Sequence, residues 1–286
     1  MESYIFSDLA CEKRENQGEL AEIEKYETDG RKGIAVSRRR GAEGEFVTIG
    51  GEAILGMSEE SVTSLGETLA KELRRMIRRA LPRPFDHTCS VMAVGLGNAA
   101  LTPDALGPET VRRIFVTGAA QSDPTRCTVT AIAPDVAGNT GIESAELVRG
   151  AVSATKPDLI VAIDALSARD PTRVGAVIQL SDAGISPGGG VGNRRASLSQ
   201  TTLGIPVLAL GIPTVVRTAS MLAEAFCALG LSSSDPTVSA LLARERASFV
   251  TPKEIDWIVQ SAAALLADGI NLACRIPSHK NESFGI

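Results

Sequence analysis

The rhythm of apolar and polar residues changes twice along this chain, near residue 30 and again near residue 88. Residues 1 to about 30 are rich in Glu, Lys, Asn and Gln, with few apolar anchors, and read as a loosely held extension. Two short alternating runs follow, Gly33-Ile34-Ala35-Val36-Ser37 and Glu45-Phe46-Val47-Thr48-Ile49. They flank a Gly/Arg-rich connection and predict a hairpin. Ser58-Glu59-Glu60-Ser61 has the order of a capping box, and predicts a helix that runs to about Ala80 and stops before Pro82. From Thr88 onward, apolar runs alternate with helical patterns. Strands are predicted at about 88–94, 128–133, 158–164, 174–181 and 205–211, and helices at about 105–117, 142–155, 216–229 and 252–273. This alternation predicts an α/β fold, a mostly parallel twisted sheet flanked by helices, with an N-terminal hairpin and helix before it. No internal repeat is present, and no low-complexity tract beyond Gly188-Gly189-Gly190.

Composition fits that picture. With 286 residues, 44% hydrophobic and only 3% aromatic, the chain has an aliphatic core of the α/β kind. A net charge of −5 argues against a general nucleic-acid binder. The basic clusters Arg38-Arg39-Arg40 and Arg74, Arg75, Arg78 and Arg79 read as a solvated hairpin tip and a helix face. Five cysteines are scattered, with no C-x-x-C pair, as expected of a reducing compartment without a disulfide framework or structural zinc. The N-terminus has no secretion signal, and the apolar stretch Ile205–Val216 is too short for a bilayer. The expectation is a soluble, intracellular protein.

The candidate chemistry centres on two aspartates. Asp104 lies in the loop Thr102-Pro103-Asp104-Ala105-Leu106-Gly107-Pro108, after the strand-like run Val91–Val94, and Asp164 ends Leu159-Ile160-Val161-Ala162-Ile163-Asp164. An acid at the end of a buried strand costs desolvation energy, and the carboxyl ends of strands are where open α/β sheets bind ligands. Two such acids could share a proton in one crevice, one serving as base and the other as acid. The plainer reading is that each caps the helix after it.

Other motifs compete. Gly95-Leu96-Gly97-Asn98-Ala99-Ala100 fits a relaxed dinucleotide pattern, but Pro103 falls where the required helix should be. Gly184-Ile185-Ser186-Pro187-Gly188 matches a nucleophile elbow, yet Pro187 and three glycines replace its helix, and a triad would depend on His279 in a polar tail. Only two histidines are present, which counts against Ser, Cys and zinc catalysis, although Asp104 and Asp164 could hold a hard metal ion as oxygen ligands. The long loop Ser181–Arg195 has glycines suited to close approach of a peptide or an anion.

These residues carry a resemblance. Gly95-Leu96-Gly97-Asn98, Thr102–Pro108, Ala133-Pro134, Gly138–Glu143, Lys156–Leu166, Gly184–Gly188 with Gly192-Asn193, Gly204–Val207, Gly211–Val215 and Phe249–Glu254 are similar to the spore germination protease family. The similarity covers residues of about 88 to 275. It implies a fold similar to hydrogenase-maturation proteases and an endopeptidase that degrades the small acid-soluble proteins coating spore DNA. It further implies an atypical aspartic peptidase whose catalytic pair is Asp104 and Asp164, without a cofactor, though the D-T/S-G run of pepsin-like enzymes is absent. A carboxylate-bound metal hydrolase or metal-sensing maturation protease is the alternative. Substrate contacts would fall on Asn98, Gly188, Gly189, Asn193 and Arg194. The resemblance also implies a cytoplasmic homotetramer of the spore core, with no direct contact to nucleic acid or membrane. It implies a zymogen too, with residues 1–8 as pro-segment and 9–286 as one protease domain. Self-cleavage is expected at Asp8-Leu9, since Ser7-Asp8-Leu9-Ala10 has the acidic–aliphatic–small order of the family's cut sites.

Overall fold

Alternate residues of the two longest apolar runs face opposite sides of one sheet. Val91, Ala93, Val161 and Ile163 pack with one helical layer, and Met92, Val94, Ile160 and Ala162 pack with another. Near-continuous apolar strands of this kind are stable only when both faces are covered. A computed structural model describes residues 7–15, 24–28, 34–51, 53–118, 125–186, 196–232, 234–245 and 247–276. Among these, the strands are β1 (Glu24–Thr28), β2 (Ala35–Gly41), β3 (Gly44–Gly50), β4 (Ser90–Gly95), β5 (Thr128–Ile132), β6 (Leu159–Ala168), β7 (Val177–Ser181), β8 (Val207–Arg217) and β9 (Phe249–Val250). The helices are α1 (Ala10–Glu15), α2 (Glu59–Ala80), α3 (Leu106–Val111), α4 (Ala137–Thr140), α5 (Ser144–Thr155), α6 (Gln200–Leu203), α7 (Thr218–Ala228), α8 (Pro236–Arg244) and α9 (Ile255–Ala273).

All the strands join one sheet in the order β1-β2-β3-β7-β8-β6-β4-β5, with β9 pairing β8. The centre, β8-β6-β4-β5, is parallel, as strand–helix alternation requires. The hairpin β2-β3 is no separate unit. Its second strand pairs antiparallel with β7, which pairs antiparallel with β8, so the hairpin extends the same sheet. On one face, α2 and α9 cover the core through Leu65, Leu69, Leu73 and Ile77 with Leu265, Leu266 and Ile270. On the other, α5 contributes Ala145 and Val148. Ser58 caps α2 by accepting a hydrogen bond from Ser61 N–H.

Several sequence expectations shift. The strand expected to end at Asp164 continues to Ala168, and the strand expected to end at 211 continues to Arg217. Pro213 lies inside β8 because the ladder slips there: Leu166 faces Pro213, whereas Ser167 faces Val215. That bulge leaves Thr214 as the extra residue and accommodates a proline without an N–H. The helix expected over 105–117 stops at Val111, because Thr117 and Gly118 donate their N–H groups to the Val129 carbonyl at the edge of β5. Arg38 is no solvated tip. It lies within β2 and reaches the buried Glu72 on α2, at 2.9 Å through Nε.

The head is likewise not loosely held where it is described. Leu9 is fully buried among Leu166, Ala168, Val174 and Val216. Glu12, 1% exposed, accepts hydrogen bonds from the Arg169 and Asp170 N–H groups and pairs with Arg173. The sequence reading missed this because one leucine and one glutamate supply the anchorage, and neither forms a pattern.

Candidate active site

The parallel strands end at different heights, and this creates a cleft. β4 stops at Gly95, opposite Ile163, whereas β6 runs on, so Asp164 emerges just where its neighbour ends. Asp164 is 8% exposed, and its Oδ1 accepts from the Ala165 N–H at 2.9 Å. It belongs to the α5 face of the sheet, together with Ile160 and Ala162.

Asp104 comes from a different element. After β4 the chain turns through a single 3-10 turn, Thr102–Asp104, before α3 begins. Asp104 Oδ2 accepts the Asn98 N–H at 2.8 Å, while Asp104 N–H bonds to the Leu101 carbonyl. Gly97 has φ +109°, and a Cβ there would lie 2.0 Å from the Asp104 carbonyl oxygen. Only glycine allows the turn to fold this tightly onto β4. Gly107 sits equally close, its missing Cβ facing the Leu96 and Ile163 carbonyls, which lets α3 start against both strands. The G-x-G run thus serves backbone packing at the aspartate turn, and α3 begins too late to meet a pyrophosphate. From β8, the bulged Thr214, fully buried, donates its hydroxyl to the Pro103 carbonyl at 2.6 Å. Thr251 in turn donates to the Thr214 carbonyl.

Asp104 and Asp164 line one cavity of about 690 Å³. Asn98 lines it as well, its side chain accepting from the Ala100 N–H. The floor is sheet: Phe46 of β3, Gln179 and Ser181 of β7, Ala209 and Gly211 of β8. The far wall is Gly184-Ile185-Ser186, which begins the glycine-rich loop, where Ile185 and Leu198 exchange main-chain hydrogen bonds. Gly188, Gly189, Asn193 and Arg194 lie outside the described residues. The described lining carries four acids, Asp8, Glu43, Asp104 and Asp164, and no Lys, Arg or His. His87 is exposed and away from the cavity, which leaves Ser186 without a described histidine beside it. Among the described residues, no three His, Cys, Asp or Glu side chains stand together as a metal site. No described helix is long and apolar enough to cross a membrane.

Sequence reasoning did not find Asp8, Thr214, Ser167 or Gln179 as cavity residues. A proline inside a strand-like run was the one available signal, since it marks a bulge and hence Thr214. A cleft at the carboxyl ends of parallel strands, with acids delivered from two elements, is the ligand-binding crevice of an open α/β enzyme. The sequence profile of the germination protease family matches residues 8–229. The germination protease of Clostridium acetobutylicum is 35% identical, covering 93% of this chain and 91% of its own length. That of Priestia megaterium is 42% identical, covering 76% and 63% respectively. The Oceanobacillus iheyensis protein of that name is 44% identical over 60% and 48%. This chain belongs to the germination protease family, and it is a peptidase.

Proposed function

We propose that the protein is an endopeptidase that degrades small acid-soluble spore proteins during germination, through an aspartate pair formed by Asp104 and Asp164. The observation that supports this reading is that Asp104, from the 3-10 turn, and Asp164, from β6, both line one cavity. One carboxylate takes a proton from water while the other, protonated, polarises the scissile carbonyl. The acidic lining supports such sharing, because like charges in one crevice favour keeping a proton between them. Asn98 and the loop residues Gly188, Gly189, Asn193 and Arg194 hold the substrate chain. The framework is that of hydrogenase-maturation proteases put to a different use.

In this reading the protein is a zymogen, with residues 1–8 as pro-segment, and it works as a homotetramer in the cytoplasm of the spore core. Sedimentation velocity at micromolar concentration tests the assembly, and a monomer there counts against it.

The central test is incubation with a small acid-soluble spore protein, with and without a chelator, followed by mass analysis of fragments. Asp104→Asn and Asp164→Asn should each lower cleavage about a thousandfold with an unchanged circular dichroism spectrum, and Ser186→Ala should cut normally. Loss of activity to the chelator, restored by a divalent ion, would transfer the two aspartates to the metal-dependent alternative.

A further inference from the structure

The net charge of −5 conceals a local inversion of sign. Helix α2 turns five cations to one side at helical spacing, Lys71, Arg74, Arg75, Arg78 and Arg79, and β2 adds Arg38 beside them. Together they line an open groove of about 770 Å³ whose described carboxylates are Glu67 and Glu72, a net of four positive charges. The groove shares no described lining residue with the cleft of Asp104 and Asp164. The fold holds four of these cations in place. Glu72 fixes Arg38 and Arg75, and Glu45 fixes Arg75 and Arg79. Arg74 donates to carbonyls at the end of α9, 3.2 Å from Nε to Ala273 and 3.1 Å from Nη2 to Arg275. Lys71 and Arg78 are exposed and make no hydrogen bond or ion pair among the described residues. Burial, and after it the like charge of Arg78, hold the Arg74 guanidinium below its ordinary range. The cluster thus carries positive charge that its own carboxylates leave unneutralised, and a bound anion would relieve it.

We infer that this groove binds the phosphate backbone of a nucleic acid strand, read by charge and not by base sequence. Charge density selects that occupant. From Lys71 to Arg79 the helix rises about 12 Å. One strand of a duplex sets a phosphate about every 3.4 Å of axis, so about four phosphates meet the four net charges. An extended acidic polypeptide turns only alternate side chains to one face, about 7 Å apart, and brings about two carboxylates to the same length. Planar guanidinium forks also suit phosphate oxygens, and five of the six cations are arginine. Whole-chain charge and the family resemblance both pointed away from nucleic acid. Neither registers a groove whose cations are drawn together from β2 and α2. The inference goes beyond the endopeptidase reading and stands whatever bond the cleft cuts: the groove would hold the protein on nucleic acid with the cleft left open.

The test is to titrate the full-length protein into a labelled DNA duplex of about 16 base pairs and follow anisotropy at rising salt. The logarithm of the affinity should fall against that of salt with a slope of about −3.6, the value for four neutralised phosphates. Duplexes of unrelated sequence should bind within about twofold of one another. Lys71→Gln with Arg78→Gln removes two exposed cations that hold nothing in the fold. That double variant should bind about tenfold more weakly or worse, with a slope smaller by about two units and an unchanged circular dichroism spectrum. Arg149→Gln with Arg244→Gln changes net charge equally elsewhere on the surface and should match the parent in affinity and slope. Absence of binding at about 20 mM salt overturns the assignment, as does an equal loss in the two double variants. So does an oligoglutamate of equal charge that binds as tightly as the duplex, because the groove would then be a carboxylate site.

Discussion

Single residues hold the turn that carries Asp104 against the sheet. Thr214 is extra to the β6-β8 ladder, and its hydroxyl ties that bulge to the carbonyl preceding Asp104. Its hydroxyl is turned to that carbonyl, so its part is to position the turn. Thr214→Val keeps the shape but leaves the Pro103 carbonyl without this donor, a loss of about 1–2 kcal/mol. The expected result is a kcat about tenfold lower with KM nearly unchanged, and recovery in Thr214→Ser. A parallel rise in KM would instead mean that the cleft floor had moved. Much at this scale was legible: Asp104 and Asp164 were marked by their place after apolar runs, and Asn98 by the family resemblance. Gln179 was not, because a lone polar residue in a strand pattern looks the same whether it faces solvent or a cleft.

Elements assemble the cleft through contacts that local pattern does not encode. α2 grips the hairpin by charge, with Glu72 accepting from Arg38 and Arg75 and Glu45 pairing with Arg75 and Arg79. Burial pushes the Glu72 carboxyl up, but the two guanidinium groups outweigh it and hold it below the ordinary carboxylate range. A depressed folded-state pKa gives stability that is complete above the unfolded glutamate's pKa and lost as pH falls through the folded value. Glu72→Gln should therefore lower stability at neutral pH by about 2 kcal/mol, less than for a fully buried pair because the arginines remain partly exposed. The difference from the parent should shrink under acid, as read by urea denaturation at a series of pH values. A constant difference across that range would show that packing, and not charge, was lost. The α2 helix itself was plain from its capping sequence, and the parallel centre from strand–helix alternation. The antiparallel extension was hidden, because pairing of β3 with β7 joins segments more than a hundred residues apart.

At the scale of the whole molecule, the head and the cleft form one system. Ser7, Asp8 and Leu9 are docked, and Glu12 anchors them against the segment after β6. If activation is self-cleavage between Asp8 and Leu9, intact mass of the active protein should show Leu9 as first residue, and a protein still beginning at Met1 or Glu2 would reject it. If that bond is cut only after the head leaves its seat, Glu12→Ala should speed conversion severalfold, and an unchanged or slower rate would reject that order. The acidic–aliphatic–small order was readable in the sequence. The docking was not, since it depends on a cup assembled from β6, β8 and the connection before β7.

The two acids also differ in how they are held. Asp164 is embedded in a ladder fastened on both sides, to β4 up to its neighbour Ile163 and to β8 at Gly211, whereas Asp104 rides on one short turn. In mechanical terms the first is a fixed datum and the second an adjustable stop. Sequence drift can retune their separation more readily through the turn that carries Asp104 and its few supports than through β6, where any change would be transmitted across the entire sheet.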